Sequence, residues 1–342
     1  MDFDFSDEQL ALRDSVRDLL AKHRTTPAPG DPEHDPALWQ ALAELGALGL
    51  PFAEDVGGMG ASPVEATIVA IELGRAGVRT PYADALVAGS LLGDDSLLES
   101  LCEGTELIVP ALYEPGRAWS LTPTVTADGE SLSGVREPIP YAAAATQVVT
   151  TARTGDAVGV FVIADPKPVG NRLDLSSASA RKIDGDAASV QRAVNLGIII
   201  QAGEALGAME SALSLTVEYL KSRKQFGVPL MRFQTLTQRA ADMYTSLELA
   251  RSTVLHGAMT LSANPDDAAA ASRVRVTAGK AGRHIGQEAI QLHGGIGMTA
   301  EYAVGHLTAR LTAIEHSYGD IRHHLRLLAG SVSGYDAVDV LG

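Results

Sequence analysis

The sequence predicts a mainly α protein in three parts: an N-terminal helical region, a small middle β region and a C-terminal four-helix bundle. Three observations carry this. Apolar residues recur at helical spacing near the start, with Leu10, Leu12, Val16, Leu19 and Leu20 on one face. Short runs rich in Val, Thr and Ile, separated by Gly, Pro and Asp, fill the stretch from about 107 to 183. Four long amphipathic segments with short connections follow. Strands and helices do not alternate, so neither βαβ units nor a parallel sheet is expected.

The first helix opens at Ser6, whose spacing to Gln9 is a capping-box signature. Residues 25–36, rich in Pro, Gly and Asp, read as a loop. Helical patterns follow at 37–48, 63–77 and 83–92, and a loop at 51–62 holds Gly57, Gly58 and Gly60. The runs 108–112, 121–126, 147–152 and 158–163 predict strands of a small antiparallel sheet or barrel. The bundle helices are predicted at 194–223, 233–263, 265–292 and 302–328, with breaks at 226–229, 264–265 and 293–298. The three regions divide at 1–110, 111–187 and 188–342.

Composition excludes several functional classes. Among 342 residues, 27 Lys and Arg face 42 Asp and Glu, a net charge of −15, which disfavours binding nucleic acid or an anionic membrane through the overall field. A single cysteine, Cys102, cannot build an internal disulfide framework or a multi-thiolate metal site. The opening stretch is acidic and lacks the basic-then-apolar layout of a signal peptide, and the longest aliphatic stretch, 196–200, is too short to span a bilayer. These features lead to the expectation of a cytoplasmic protein.

Two patterns in the last third carry chemistry. In the first, Arg223-Lys224-Gln225-Phe226-Gly227 ends one helix and Gln234 opens the next. A guanidinium binds a phosphate pair bidentately and an adjacent aromatic can lie against a heterocycle; the same residues also read as an ordinary helix C-cap. In the second, Gln291-Leu292-His293-Gly294-Gly295-Ile296-Gly297 places three glycines in a turn between helices. Such a turn lets a ligand approach backbone amides closely, or simply reverses the chain. His316, His323 and His324 share the last helix, but without a supporting motif they read as surface or interface histidines and not as metal ligands.

The combination Arg223-x-x-Phe226-Gly227 through Phe233-Gln234, then Gln291-x-x-Gly294-Gly295-x-Gly297 and Glu301-Tyr302, resembles the acyl-CoA dehydrogenase family. The opening Phe5-Ser6-Asp7-Glu8-Gln9, the loop with Gly57-Gly58-Met59-Gly60 and the helical, β, helical order extend the resemblance along nearly the whole chain. The resemblance implies FAD as cofactor and the α,β-dehydrogenation of an acyl-CoA thioester, in which a base takes a proton from Cα and the flavin a hydride from Cβ. It also implies that Arg223, Phe226, Gln234, Gln291, Gly294 and Gly295 contact the pyrophosphate and adenosine end of an FAD held mainly by a neighbouring subunit.

The residues that such a chain offers to its own flavin and substrate depart from the family pattern. Where the family carries Thr-Glu-Pro followed by Gly-Ser, this chain reads Tyr113-Glu114-Pro115-Gly116-Arg117-Ala118-Trp119. Where a Trp-Ile-Thr-type segment flanks the isoalloxazine, it reads Pro138-Ile139-Pro140-Tyr141, and proline removes amide donors. One family position for the catalytic Glu lies 24 residues after the first glycine of the Gly-Gly turn and falls on Tyr318. The other lies 26 residues before the motif arginine and falls on Gly197. A phenol titrating near about 10 is a poor base at neutral pH, and glycine offers none. Glu315 and Asp320 flank Tyr318; otherwise they read as a solvated helix face and a cap or turn. Glu204, roughly 10 Å along its helix from Gly197, is too far to replace it and also reads as a solvated face.

The resemblance therefore points to the non-catalytic subunit type of heteromeric actinobacterial acyl-CoA dehydrogenases, associated with steroid side-chain degradation. The expected partners are a homologous base-bearing subunit in an α2β2 heterotetramer, an acyl-CoA substrate and an electron-transfer flavoprotein. The alternatives are an autonomous dehydrogenase using Asp320 or Glu315 as base, and a flavin-free scaffold of the same fold.

Overall fold

The computed structural model describes residues 5–23, 34–93, 96–176, 178–330 and 332; most of the loop expected at 25–36 lies outside them. The N-terminal region is built from α1 (Asp7–His23), α2 (Pro36–Glu44), α3 (Pro63–Ala76), α4 (Tyr82–Leu92) and α5 (Leu97–Cys102). The capping box at α1 forms as its sequence implies, with the Ser6 and Gln9 backbone amides each donating to the other residue's side chain.

The strands are β1 (Ile108–Ala111), β2 (Thr126–Asp128), β3 (Ser131–Ser133), β4 (Val135–Arg136), β5 (Gln147–Thr154), β6 (Ala157–Ala164), β7 (Leu173–Asp174) and β8 (Ala180–Ile183). The main sheet runs β3-β2-β5-β6-β8, with β1 also paired to β5. It is mixed, which corrects the antiparallel expectation. β1 lies parallel to β5, with Ile108 opposite Gln147, because the long connection through 112–146 permits a crossover. The β1–β5 pairing also draws residues before the 110/111 division into the sheet. The strand expected at 121–126 is absent up to Val125. Pro123 interrupts it, and the Thr124 and Val125 amides donate instead to the Glu114 carboxylate, at 2.7 and 3.1 Å.

The C-terminal helices are α6 (Ala187–Ser222), α7 (Gln234–Ala263), α8 (Ala268–His293), α9 (Ala303–His316) and α10 (Ile321–Gly330). α6 begins seven residues before its apolar pattern suggests, because Asp186 and Ser189 form a capping box. The helix expected across 302–328 is broken into α9 and α10 by Tyr318 and Gly319, both at positive φ (51° and 98°). One apolar core runs from Val16 and Leu42 through Val109 and Phe161 to Ile198 and Tyr318, so the helical and β regions share it. A second core, with Met209, Met243, Ile285 and Leu311, binds α6 to α9 together.

Candidate functional site

At one end of the bundle α6 stops at Ser222, and Arg223 leaves helical geometry (φ −71°, ψ 127°). A miniature hairpin follows, β9 (Lys224–Gln225) pairing with β10 (Val228–Pro229). Its two-residue loop is Phe226-Gly227, with φ of 52° and 82°, the signature of a type I′ turn. This corrects the helix C-cap reading of the motif: Gly227 closes a hairpin, not the helix. A phenylalanine at positive φ is unfavourable. Phe226 adopts it while 92% exposed, and its ring meets that of Phe233 edge-on at 6.1 Å.

The glycine turn lies at the same end. Tyr219, one helical turn before Arg223, stacks on His293 at 4.6 Å, and Tyr302 packs tilted against the same imidazole at 5.0 Å. The stack ties the C-terminus of α6 to that of α8, so the Arg223 and Gly294 motifs, which the sequence keeps far apart, meet in space. Gly294 sits at φ 66°, which favours glycine. An added Cβ at Gly295 would meet nothing within 4 Å among the described residues. Arg223, Gln234 and Gln291 are exposed, and their side chains have no ion-pair or hydrogen-bond partner among the described residues. A free guanidinium, two free amides, an open glycine turn and an exposed ring form a donor set suited to the diphosphate and adenine of FAD.

The other half of the expected site is filled. Tyr318 is 1% exposed, stacked on Tyr113 at 5.7 Å and edge-on to Trp119 at 5.3 Å. Its backbone amide donates to the Tyr113 hydroxyl at 2.8 Å. The two positions to which the base spacing leads also face each other: a side chain at Gly197 would begin 3.1 Å from the Tyr318 ring and 2.4 Å from Val87 Cγ2. The buried Tyr318 hydroxyl has no hydrogen-bond partner among the described residues, and burial drives its pKa well above the ordinary value. One turn before Val87 on α4 lies Asp84, 5% exposed; burial lifts its carboxyl to about 6, against the pull of Arg310.

The nearby carboxylates are engaged elsewhere. Glu315, expected on a solvated face, is 5% exposed and takes two 2.9 Å hydrogen bonds from Arg283. Glu204, also expected on a solvated face, is 7% exposed and is held bidentately by the Nε and Nη2 of the Arg310 guanidinium. Asp320 accepts the His323 amide at 2.8 Å, which caps α10 and holds its carboxyl below the usual range. His324 departs from the surface expectation. It is 3% exposed, its Nε2 donating to the Tyr318 carbonyl at 3.0 Å and its Nδ1 accepting from Ser272. Among the described residues no group of three or more His, Cys, Asp or Glu is placed to hold a metal ion, and no helix is long and apolar enough to cross a membrane.

The sequence reading names Tyr113, Tyr318 and Gly197 and takes His324 for a surface or interface histidine, but misses Val87 and Asp84, which complete the plug. Val87 and Asp84 sit in an Ala- and Leu-rich helix buried along most of its length, so periodicity does not single them out.

Comparisons with known proteins follow the same outline. Residues 6–98 match the family model for the acyl-CoA dehydrogenase N-terminal domain, and residues 187–332 that for the acyl-CoA dehydrogenase C-terminal domain. Acyl-CoA dehydrogenase IpdE2 of Mycolicibacterium smegmatis is 32% identical, over 96% of this chain and 99% of its own. The solved Tcur3481-Tcur3483 steroid acyl-CoA dehydrogenase (a G363A variant) superposes with a TM-score of 0.87 at 25% identity, covering 96% of this chain and 98% of that one. The ChsE4-ChsE5 complex from Mycobacterium tuberculosis, at 22% identity, shares the fold with a TM-score of 0.86 over 98% of this chain and 100% of that one. The chain belongs to the acyl-CoA dehydrogenase family, whose cofactor is FAD.

Proposed function

We propose that this chain is the non-catalytic subunit of a heteromeric, FAD-dependent acyl-CoA dehydrogenase: it completes a partner's FAD site and has no working site of its own. One observation carries the reading: Tyr318 and Gly197, the two positions at which the family resemblance would put the base, pack against each other beside Tyr113. When bound, FAD supplies the hydride acceptor. Arg223 would neutralise its diphosphate, and Phe226 would lie against the adenine. Gln234 and Gln291 would donate from their amides. Gly294 and Gly295 would leave room for the cofactor's approach.

Support comes from the idle state of these groups within the chain. Its own packing gives no reason for glycine at Gly295 or for strain at Phe226. The partner would be a homologue bearing the catalytic Glu, in an α2β2 assembly acting on an acyl-CoA and passing electrons to an electron-transfer flavoprotein. Similarity to a steroid acyl-CoA dehydrogenase supports a steroid-derived acyl group, and the lone buried Cys102 a cytoplasmic setting. The test is co-expression with a base-bearing homologue, with flavin content and acyl-CoA oxidation read against each chain alone. Flavin and turnover only in the pair support the reading; stoichiometric FAD and turnover in the lone chain defeat it.

A further inference from the structure

α3 crosses α6 at backbone contact. A Cβ at Gly74 would lie 1.9 Å from the Glu204 carbonyl oxygen, and one at Gly207 would lie 1.8 Å from that of Ile71. Just beyond the crossing α3 ends at Gly77 (φ 68°) and the chain diverges from α6. The gap is walled by one face of α6, carrying Glu204, Ala208, Ser211 and Leu215, and one face of α9, carrying Ala303, Leu307 and Arg310. A cavity of about 150 Å³ remains, open to solvent beside Arg79.

Its charges are unevenly spent. Arg75 is paired with Glu72 and Glu210, and Arg310 with Glu204 at 2.7 Å. Arg79 is exposed on the same wall and has no ion-pair or hydrogen-bond partner among the described residues. Ser211 is likewise unengaged. On the same helix Thr216 returns its hydroxyl to the Ala212 carbonyl and Ser222 to that of Glu218, but the Ser211 hydroxyl makes no such bond. In a chain of net charge −15, Arg310 is offset by Glu204 on the cavity wall and Arg75 by Glu72 and Glu210 outside it, which leaves Arg79 as the uncompensated cation. Leu215, Leu307 and Ala208 supply an apolar floor, and a cavity of roughly 150 Å³ accommodates a six-carbon ring.

We propose that this cavity between α3, α6 and α9 is a binding site for a small apolar monocarboxylate of about the size of benzoate. The carboxylate lies on Arg79 and Ser211, and the ring or short chain lies on Leu215 and Leu307. The site is independent of the flavin reading, because it uses none of the residues assigned to FAD.

The test is calorimetric titration of the full chain with benzoate and with its neutral analogue benzamide. Benzoate binds saturably at one site, and benzamide binds at least ten-fold more weakly. Arg79→Gln, at an exposed position, lowers benzoate affinity at least ten-fold. Ala303→Trp, also exposed, fills the mouth and abolishes binding while the unfolding midpoint stays unchanged. Absence of saturable benzoate binding, equal binding of benzamide, or affinity unmoved by both substitutions overturns the proposal.

Discussion

The hydroxyl of Tyr113 accepts the backbone amide of Tyr318 at 2.8 Å, across 205 positions of sequence, and the two rings stack at 5.7 Å. The family resemblance would put a threonine of the substrate loop at the first position and the base glutamate at the second. Their contact means that the two losses form one packed unit. Tyr113→Phe keeps the stack but leaves the Tyr318 amide without its partner, and costs about 1–2 kcal/mol of stability. Tyr113→Thr, the family's residue, also empties the ring's volume and costs about 2 kcal/mol or more. Urea unfolding of the two variants checks the order; equal midpoints for all three proteins contradict it.

Gly197 has no room for a base. A glutamate there meets Val87 at 2.4 Å and the Tyr318 ring at 3.1 Å already at Cβ, and its charge is buried beside the raised carboxyl of Asp84. Gly197→Glu is therefore expected to destabilise the chain by about 3 kcal/mol or more without conferring acyl-CoA oxidation. Unfolding midpoints and an activity assay decide it, and a stable variant refutes the close packing.

His324 makes stability fall with acid. Burial, with the neighbouring Arg275 and His323 charges, takes its pKa down to about 4 from 6.5, although the Tyr318 carbonyl opposes the shift. Between those values the unfolded chain binds a proton that the folded chain refuses. This contribution is present above pH 6.5 and is lost as pH drops toward 4, at up to about 3 kcal/mol. His324→Gln, which keeps a donor and an acceptor without the charge, should flatten the slope of unfolding free energy across that window; an unchanged slope places the protonation elsewhere.

Asp84 works in the opposite direction. Its carboxyl is raised from 3.8 to about 6, chiefly by burial and further by Glu204, with Arg310 opposing. Its favourable contribution is thus present below pH 3.8 and lost as pH rises through about 6. Asp84→Asn should stabilise the chain at pH 8, by up to about 3 kcal/mol, with the gain vanishing near pH 4. Unfolding at the two pH values checks it, and a gain equal at both refutes the assignment.

Much of this was legible in the sequence where the determinants are local. The Ser6–Gln9 cap, the Gly-Gly turn and the helical stripes are written within a few residues, and counting from Gly294 and Arg223 led to two residues that touch. What stayed hidden depends on distant groups. Whether β1 runs parallel to β5 rests on a crossover, and the strand at 121–126 was lost to a carboxylate of Glu114 ten residues earlier. The break of the last helix at Tyr318 is held by His324 and Tyr113, neither of which is a local helix-stop signal. The buried pairing of Glu204 and Glu315 likewise needs arginines from other helices.

The central claim is that the chain lends Arg223 and its neighbours to a partner's FAD and closes its own site. The most direct measurement is the FAD-to-subunit ratio of the complex co-purified with a base-bearing homologue, for the wild type and for Arg223→Ala. One FAD for each pair of unlike subunits is expected, with loss of most of that flavin in Arg223→Ala while the assembly stays intact, and a colourless lone chain. One FAD per subunit, or a lone chain carrying stoichiometric FAD that Arg223→Ala leaves in place, would contradict it.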